Sequence, residues 1–225
     1  MAKPRVRTAS PSARPQIHLL AGVNGAGKSS IGGASIRHAG AHYFNPDEAA
    51  RRLIEANPGL PQRDANAAAW EEGRRLLERA IRERLDFAFE TTLGANTMTQ
   101  MLLQAADAGF DIHAWYAGLT SPELHLSRVK ARVKIGGHDI PETDIRRRYQ
   151  SSRMNLIRLL PHLASLRMYD NSMEADPAKG IAPLPRLLLH MERGAIRGPD
   201  DLGATPDWVK PVVAAALKFS MPQHS

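Results

Sequence analysis

Cysteine is missing from this chain of 225 residues, which excludes disulfides and thiolate metal sites and suits a reducing cytoplasm. Aromatic residues are few, at 5%, and they do not interleave with the basic stretches as a single-strand nucleic-acid platform requires. No apolar run approaches the roughly 20 residues needed to span a bilayer, so no membrane role is expected. The start of the chain holds neither an acid nor a secretory-type apolar stretch. Lys3, Arg5, Arg7 and Arg14 stand there among Pro, Ser and Ala, and residues 1–15 read as a flexible basic tail. The Asn-Lys-x-Asp pattern that specifies guanine is absent as well, which argues against a GTPase switch.

What is present is the composition of a soluble globular protein, 43% apolar and 24% charged. Residues 16–225 suit one α/β domain. Thirty Lys and Arg oppose 23 Asp and Glu, a net charge of +7, which favours anionic ligands such as nucleotides, sugar nucleotides or nucleic acid. Ile17–Ala21 reads as a buried strand, followed by a helix from Lys28 to about His38. Further strands are expected at His42–Asn45, Phe87–Thr91, Ile112–Leu119, Leu166–Asp170 and Arg186–Met191. Between them, helices are expected from Pro46 to Ile54, Ala65 to Arg84, Met98 to Ala106, Pro122 to Lys134 and Glu142 to Leu160, with a last one over Asp207–Leu217. In the second of these, Trp70, Leu77, Ala80 and Ile81 share a helical spacing. Strands alternating with helices predict a mostly parallel sheet covered on both faces, with ligand at the carboxyl ends of the strands.

Gly22-Val23-Asn24-Gly25-Ala26-Gly27-Lys28-Ser29 matches the phosphate-binding pattern G-x-x-x-x-G-K-[ST] in full. It lies between an apolar strand and a helix-compatible run, the context the pattern needs. Glycines let backbone N–H groups approach phosphate oxygens, and the helix N-terminus adds partial positive charge. Lys28 is expected to reach the β- and γ-phosphates of ATP, and the Ser29 hydroxyl to ligate Mg²⁺. Gly22, Asn24, Gly25, Ala26, Gly27 and Ser30 complete the expected nucleotide cradle.

Phosphoryl transfer to an alcohol needs a group that accepts the hydroxyl proton. Asp47, just after the second strand, is the first candidate, although a carboxylate there could equally offset the helix macrodipole. Glu90 projects from the end of a core strand, where it could contact Mg²⁺ through water or bind substrate, with Thr91 and Thr92 beside it. Between Ser127 and Arg153 eight bases face three acids. Two helices joined at Gly136-Gly137 there make a plausible hinged lid, at about 127–158, carrying arginines onto the transferred phosphate. Helical phase favours Arg132 and Arg148, and sets Arg147 nearly opposite the least polar stripe of its helix. A solvated basic helix pair or a nucleic-acid patch is the competing reading of the same segment.

With these residues assembled, the chain resembles the zeta-toxin family of P-loop kinases from about Ile17 to Ser172. The likeness rests on Ala21–Ser30, Phe44-Asn45-Pro46-Asp47, Phe89–Leu93, Arg132–Pro141, Ile145–Tyr149 and Tyr169–Ser172. The Gly-Gly-His-Asp-Ile-Pro segment leading to Arg-Arg-Tyr is the most particular. The resemblance implies a P-loop kinase-like three-layer sandwich with a helical lid. It implies ATP-dependent phosphorylation of a small acceptor, in the best-known members a sugar hydroxyl of UDP-N-acetylglucosamine. Asp47 would be the catalytic base, Glu90 and Thr92 substrate contacts, and Arg132 and Arg148 phosphate contacts. Arg147 is commonly basic in that pattern too, and Asn171 would lie near the adenine. A nucleotide-sugar acceptor and an antitoxin protein are the partners such a protein would have. An RNA or tRNA kinase, or an ATPase that transfers phosphate only to water, are the alternatives.

Overall fold

The computed structural model describes residues 14–31, 42–173 and 184–220. Most of the expected basic tail, and the expected run of the first helix to His38, lie outside them. Strand β1 (Gln16–Ala21) feeds the phosphate-binding turn and helix α1 (Lys28–Ile31). There follow β2 (His42–Phe44), α2 (Pro46–Ala56), α3 (Gln62–Glu83), β3 (Phe87–Thr91), α4 (Asn96–Asp107) and β4 (Asp111–Gly118). Next come α5 (Pro122–Lys134), α6 (Glu142–Leu159), β5 (Leu163–Asp170), β6 (Arg186–Glu192), β7 (Ala195–Gly198) and α7 (Lys210–Ser220). No helix among the described residues is long and apolar enough to cross a membrane.

The seven strands form one sheet in the order β2-β3-β1-β4-β5-β6-β7. The first five are parallel, and β6 and β7 add antiparallel at one edge. This is the mixed α/β, mostly parallel class expected from the alternation of strands and helices. β7 is an addition to that expectation. Its four residues Ala-Ile-Arg-Gly are too short to alternate visibly, and the turn before it is Arg193-Gly194, both with positive φ (46° and 81°). A two-residue hairpin turn needs that backbone, but Asn-Gly or Asp-Gly is the usual signal for it.

Alternation along the central strands builds the main core. Ile17 and Leu19 of β1, Phe87 and Phe89 of β3, and Ile112 and Ala114 of β4 all face one side of the sheet. They meet Leu77 of α3, Leu102 of α4, Leu156 and Leu159 of α6, and Val212 of α7, all fully buried. Three smaller clusters stand beside this core, two of them next to the elements that follow β1 and β2. One joins Val23 of the phosphate turn to Leu126 and Val129 of α5 and Ile140 and Ile145 at the start of α6. The other is small and alanine-rich, Ala50 of α2 against Ala65 and Ala69 of α3. The phosphate turn after β1 stands at the junction of the main core, which holds Ala21, and the cluster around Val23.

Local chemistry sets the helix starts that aim side chains at that junction. Asn45 caps α2 by accepting from the N–H groups of Asp47 (2.9 Å) and Glu48 (3.3 Å), with Pro46 in the first turn. Ser121 caps α5 by accepting from Leu124 N–H at 3.2 Å, again with a proline next. The second half of α6 is tied to the body of the protein. Tyr149 donates to Thr120 O (2.8 Å), Ser151 to Gly94 O (2.9 Å) and Asn155 to Leu93 O (2.9 Å).

Candidate active site

The turn after β1 is held from three sides. Gly22 N–H donates to Thr91 O of β3 at 3.2 Å. Asn171, after β5 and buried, donates from Nδ2 to Ala26 O at 2.9 Å. His125 of α5 contributes a ring nitrogen, Nδ1, 2.8 Å from Asn24 O. Gly25 has a φ of +82°, and a Cβ there would stand 2.8 Å from the carbonyl oxygen of His125, so only glycine fits beneath α5. Lys28 folds its ammonium back to donate to Gly22 O at 3.1 Å. The backbone of Ser29 and Ser30 lies in α1, while their side chains are outside the described residues.

A cavity of about 770 Å³ opens beside this turn. Asn24 and Lys28 reach it from the phosphate turn, Asp47 from α2, Glu90 and Thr92 from the end of β3, and Arg148 from α6. Every one of these was singled out from the sequence, and the fold brings them to one place. Glu90 is 8% exposed. The hydroxyl of Tyr43 and the amide of Asn45, 3.0 Å away, both donate to its Oε1, so the carboxylate is buried but hydrogen-bonded. Thr92 Oγ1 accepts from Gly94 N–H at 3.4 Å and Thr91 Oγ1 from Leu93 N–H at 3.0 Å, which shapes the loop after β3.

The arginines divide as helical phase predicts. Arg148 donates from Nη1 to Asn24 Oδ1 at 2.8 Å and from Nη2 to Asp144 Oδ2 at 3.1 Å. Its alkyl chain crosses Gly94, where a Cβ would come within 2.6 Å of Arg148 Cγ. Burial pushes this guanidinium below its ordinary range, offset by the Asp144 carboxylate. An arginine so placed still stays charged. Arg147 instead turns outward to Asp144 Oδ1 at 2.7 Å, and Arg146 pairs with Glu123 and Glu142, both at 2.7 Å. Arg132 is not among the lining residues and reaches the site only through Asp47, its Nη1 3.6 Å from Asp47 Oδ2, while His138 Nε2 approaches Asp47 Oδ1 to 3.8 Å.

Several supporting contacts of the site are not legible in the sequence. Tyr43 and Asn45 support Glu90 across 47 and 45 positions of chain, and His125 supports the phosphate turn across 101. The helical spacing of Trp70, Leu77, Ala80 and Ile81 is that of α3, in which Leu77 and Ala80 are buried while Trp70 is 39% exposed and lines the cavity. Gln62, Arg63 and Asn66 of the same helix line it as well.

The Zeta toxin family model matches residues 3–174, about three-quarters of the chain. The chain belongs to the zeta toxin family. Within that stretch fall all the site residues named above, and β6, β7 and α7 lie beyond it. This zeta toxin family member is 35% identical over 128 residues to an uncharacterized protein of Haemophilus influenzae, covering 57% of this chain and 88% of that protein. The AvrRxo1-ORF1:ORF2 complex solved with ATP superposes with a TM-score of 0.63 at 15% identity, over 95% of this chain and 66% of that one. The PezAT toxin–antitoxin system of Streptococcus pneumoniae gives 0.50 at 16% identity, over 79% and 78%. At such identities the structural likeness establishes the fold, and the fold is that of P-loop kinases.

Proposed function

We propose that this zeta toxin family member transfers the γ-phosphate of ATP to a hydroxyl of a small acceptor. The observation that carries the reading is the convergence of Lys28, Asp47, Glu90 and Arg148 on one cavity beside a complete phosphate-binding turn. In the proposed reaction Lys28, Arg132 and Arg148 hold the charge of the transferred group. Asp47 takes the proton of the acceptor hydroxyl as its oxygen bonds to the γ-phosphorus. The bond from that phosphorus to the bridging oxygen breaks, and ADP leaves. Glu90 and Thr92 bind the acceptor, and Asn171 stands toward the base. The exposed Asp47–Arg132 pair is weak enough to be exchanged for phosphate contacts.

Mg²⁺ is proposed as the accompanying ion on the strength of the phosphate-turn pattern. It would be held by the Ser29 hydroxyl, phosphate oxygens and water, the usual arrangement for Mg²⁺ at phosphates. When bound it supplies charge neutralisation to the phosphates.

For the acceptor we propose a nucleotide sugar such as UDP-N-acetylglucosamine. The wall formed by α3 supports this reading, with two amides, a guanidinium and the face of Trp70. An antitoxin protein is proposed as partner, by analogy with the PezAT system. A role on RNA finds less support, because few aromatics interleave with the bases of α5 and α6. The proposed lid is the segment from about Lys134 to Arg148, hinged at Gly136-Gly137. It ends before Tyr149, where α6 is fastened to the body. Product analysis tests the reading: the expected products with ATP are ADP and a phosphorylated sugar nucleotide. Labelled RNA would support the nucleic-acid kinase instead, and free phosphate alone a hydrolase.

A further inference from the structure

The kinase reading assigns no task to His125, yet its ring is hydrogen-bonded to the phosphate turn. It is 1% exposed, and its ring packs edge-on against Tyr149, with centroids 5.7 Å apart at 70°. Nδ1 lies 2.8 Å from the carbonyl oxygen of Asn24. A carbonyl can only accept, so Nδ1 carries the proton. Burial, with Lys28, Arg128 and Arg153 nearby, pushes the ring down to about 4, so it is neutral at physiological pH. The same residue, Asn24, accepts from Arg148 through its side chain. Asp144 takes a second N–H of that guanidinium.

We propose that His125 is a positioning residue that fixes the Asn24 peptide so that the Asn24 side chain can orient Arg148 toward the cavity. The inference rests on the kinase reading for its consequence in transfer, while the clamp itself is a matter of geometry. An arginine side chain has several free torsions, and freezing them costs entropy. Two anchored N–H groups set the plane of the guanidinium and leave its other donors for an anion. Asn24 is one of those anchors, and it is only as fixed as its own backbone. Without the His125 N–H, the Asn24 carbonyl becomes a buried acceptor lacking that partner. The peptide then turns to find another, and the clamp on Arg148 goes with it.

Two replacements separate this role from simple packing. In His125→Asn the side-chain amide nitrogen can occupy the place of Nδ1, whereas in His125→Gln it falls nearer the place of Nε2. Turnover is measured with ATP and UDP-N-acetylglucosamine for both variants, for Arg148→Ala and for the double variant His125→Gln/Arg148→Ala. The Gln variant is expected to lose about tenfold in kcat with the KM for ATP changed less than about twofold, the size of one lost hydrogen bond. The Asn variant is expected to recover most of that loss. In the double variant the His125 change should add less than about twofold to the loss from Arg148→Ala, because the two act through one contact. Losses that multiply, or Asn and Gln variants that behave alike, overturn the proposal. If the wild-type protein makes no ADP, the kinase reading fails. The same cycle run on urea unfolding then decides the clamp, non-additive stabilities supporting it and additive ones overturning it.

Discussion

Lys28 already spends one hydrogen bond on Gly22 O, at 3.1 Å, a contact that phosphate oxygens can replace with a stronger, charge-assisted one. Lys28→Ala is therefore expected to leave a folded protein and to cost several kcal/mol of transition-state stabilisation, by order of magnitude. Turnover of the purified variant checks this, and near-wild-type rates would remove Lys28 from the mechanism. Asp47→Asn keeps size and hydrogen bonding but cannot accept a proton. It should retain ATP binding and lose about 10²–10⁴-fold in kcat, read by calorimetry and steady-state kinetics on one preparation. Collapse of ATP affinity with normal residual turnover would make Asp47 a binding residue. Both residues were legible in the sequence because their meaning is local: a turn pattern for one, a strand end followed by proline for the other. Asn24 was legible only as part of the turn. That its side chain serves Arg148 depends on a contact 124 residues away, which no window of sequence contains.

Among the elements, α6 does two jobs along its length. From Tyr149 onward it is core and anchor, with Ser152, Asn155, Leu156 and Leu159 buried. Before that it carries Arg148, and it is reached through the glycine joint after α5. Backbone amides from Lys134 to Arg148 are expected to gain protection from hydrogen exchange with a nonhydrolysable ATP analogue and acceptor, while those from Ser152 to Leu159 stay unchanged. Equal exchange over Lys134–Arg148 with and without ligands would leave this segment a static surface. Gly94→Ala probes the same helix from the other side. A methyl group 2.6 Å from Arg148 Cγ must displace that side chain, so kcat should fall by about tenfold with a smaller change in KM for ATP. Unchanged kcat in a folded Gly94→Ala protein would show that Arg148 tolerates displacement. The helices and five parallel strands were readable from periodicity and punctuation. The antiparallel β7 was not, because four residues give no period and the Arg193-Gly194 turn lacks its usual residues. The place of Trp70 in the cavity was not legible for a related reason: spacing names a helix face, but a cavity and a core both collect apolar faces.

At the scale of the molecule, three histidines are held neutral by burial. His125 is pushed down to about 4, and His18 and His113, stacked 5.2 Å apart on the sheet, are also lowered by burial. A histidine whose folded pKa lies below its unfolded value stabilises the fold only while both states are neutral. That contribution is complete above about pH 6.5 and is lost as pH falls toward the folded value. For His125 it is on the order of 3 kcal/mol. The urea midpoint should thus fall between pH 6.5 and 5, ahead of most carboxylate titration, and His125→Asn should flatten the fall. A midpoint independent of pH over that range would rule the histidines out as its cause. The placement of the site in the sheet has a consequence of another kind. β1, which delivers the phosphate turn, lies between β3 and β4 in the interior of the sheet, whereas β2, which delivers Asp47, is a three-residue strand at its margin. Beyond it α2 and the first half of α3 rest on a cluster of alanines separate from the main core, which the second half of α3 joins through Leu77 and Ala80. Substitutions on the donor side disturb the fold itself, while those on the acceptor side disturb a small annex. Under the proposed reading, a lineage built on this plan exchanges one acceptor for another by remodelling α2 and the first half of α3, and keeps the phosphate turn throughout.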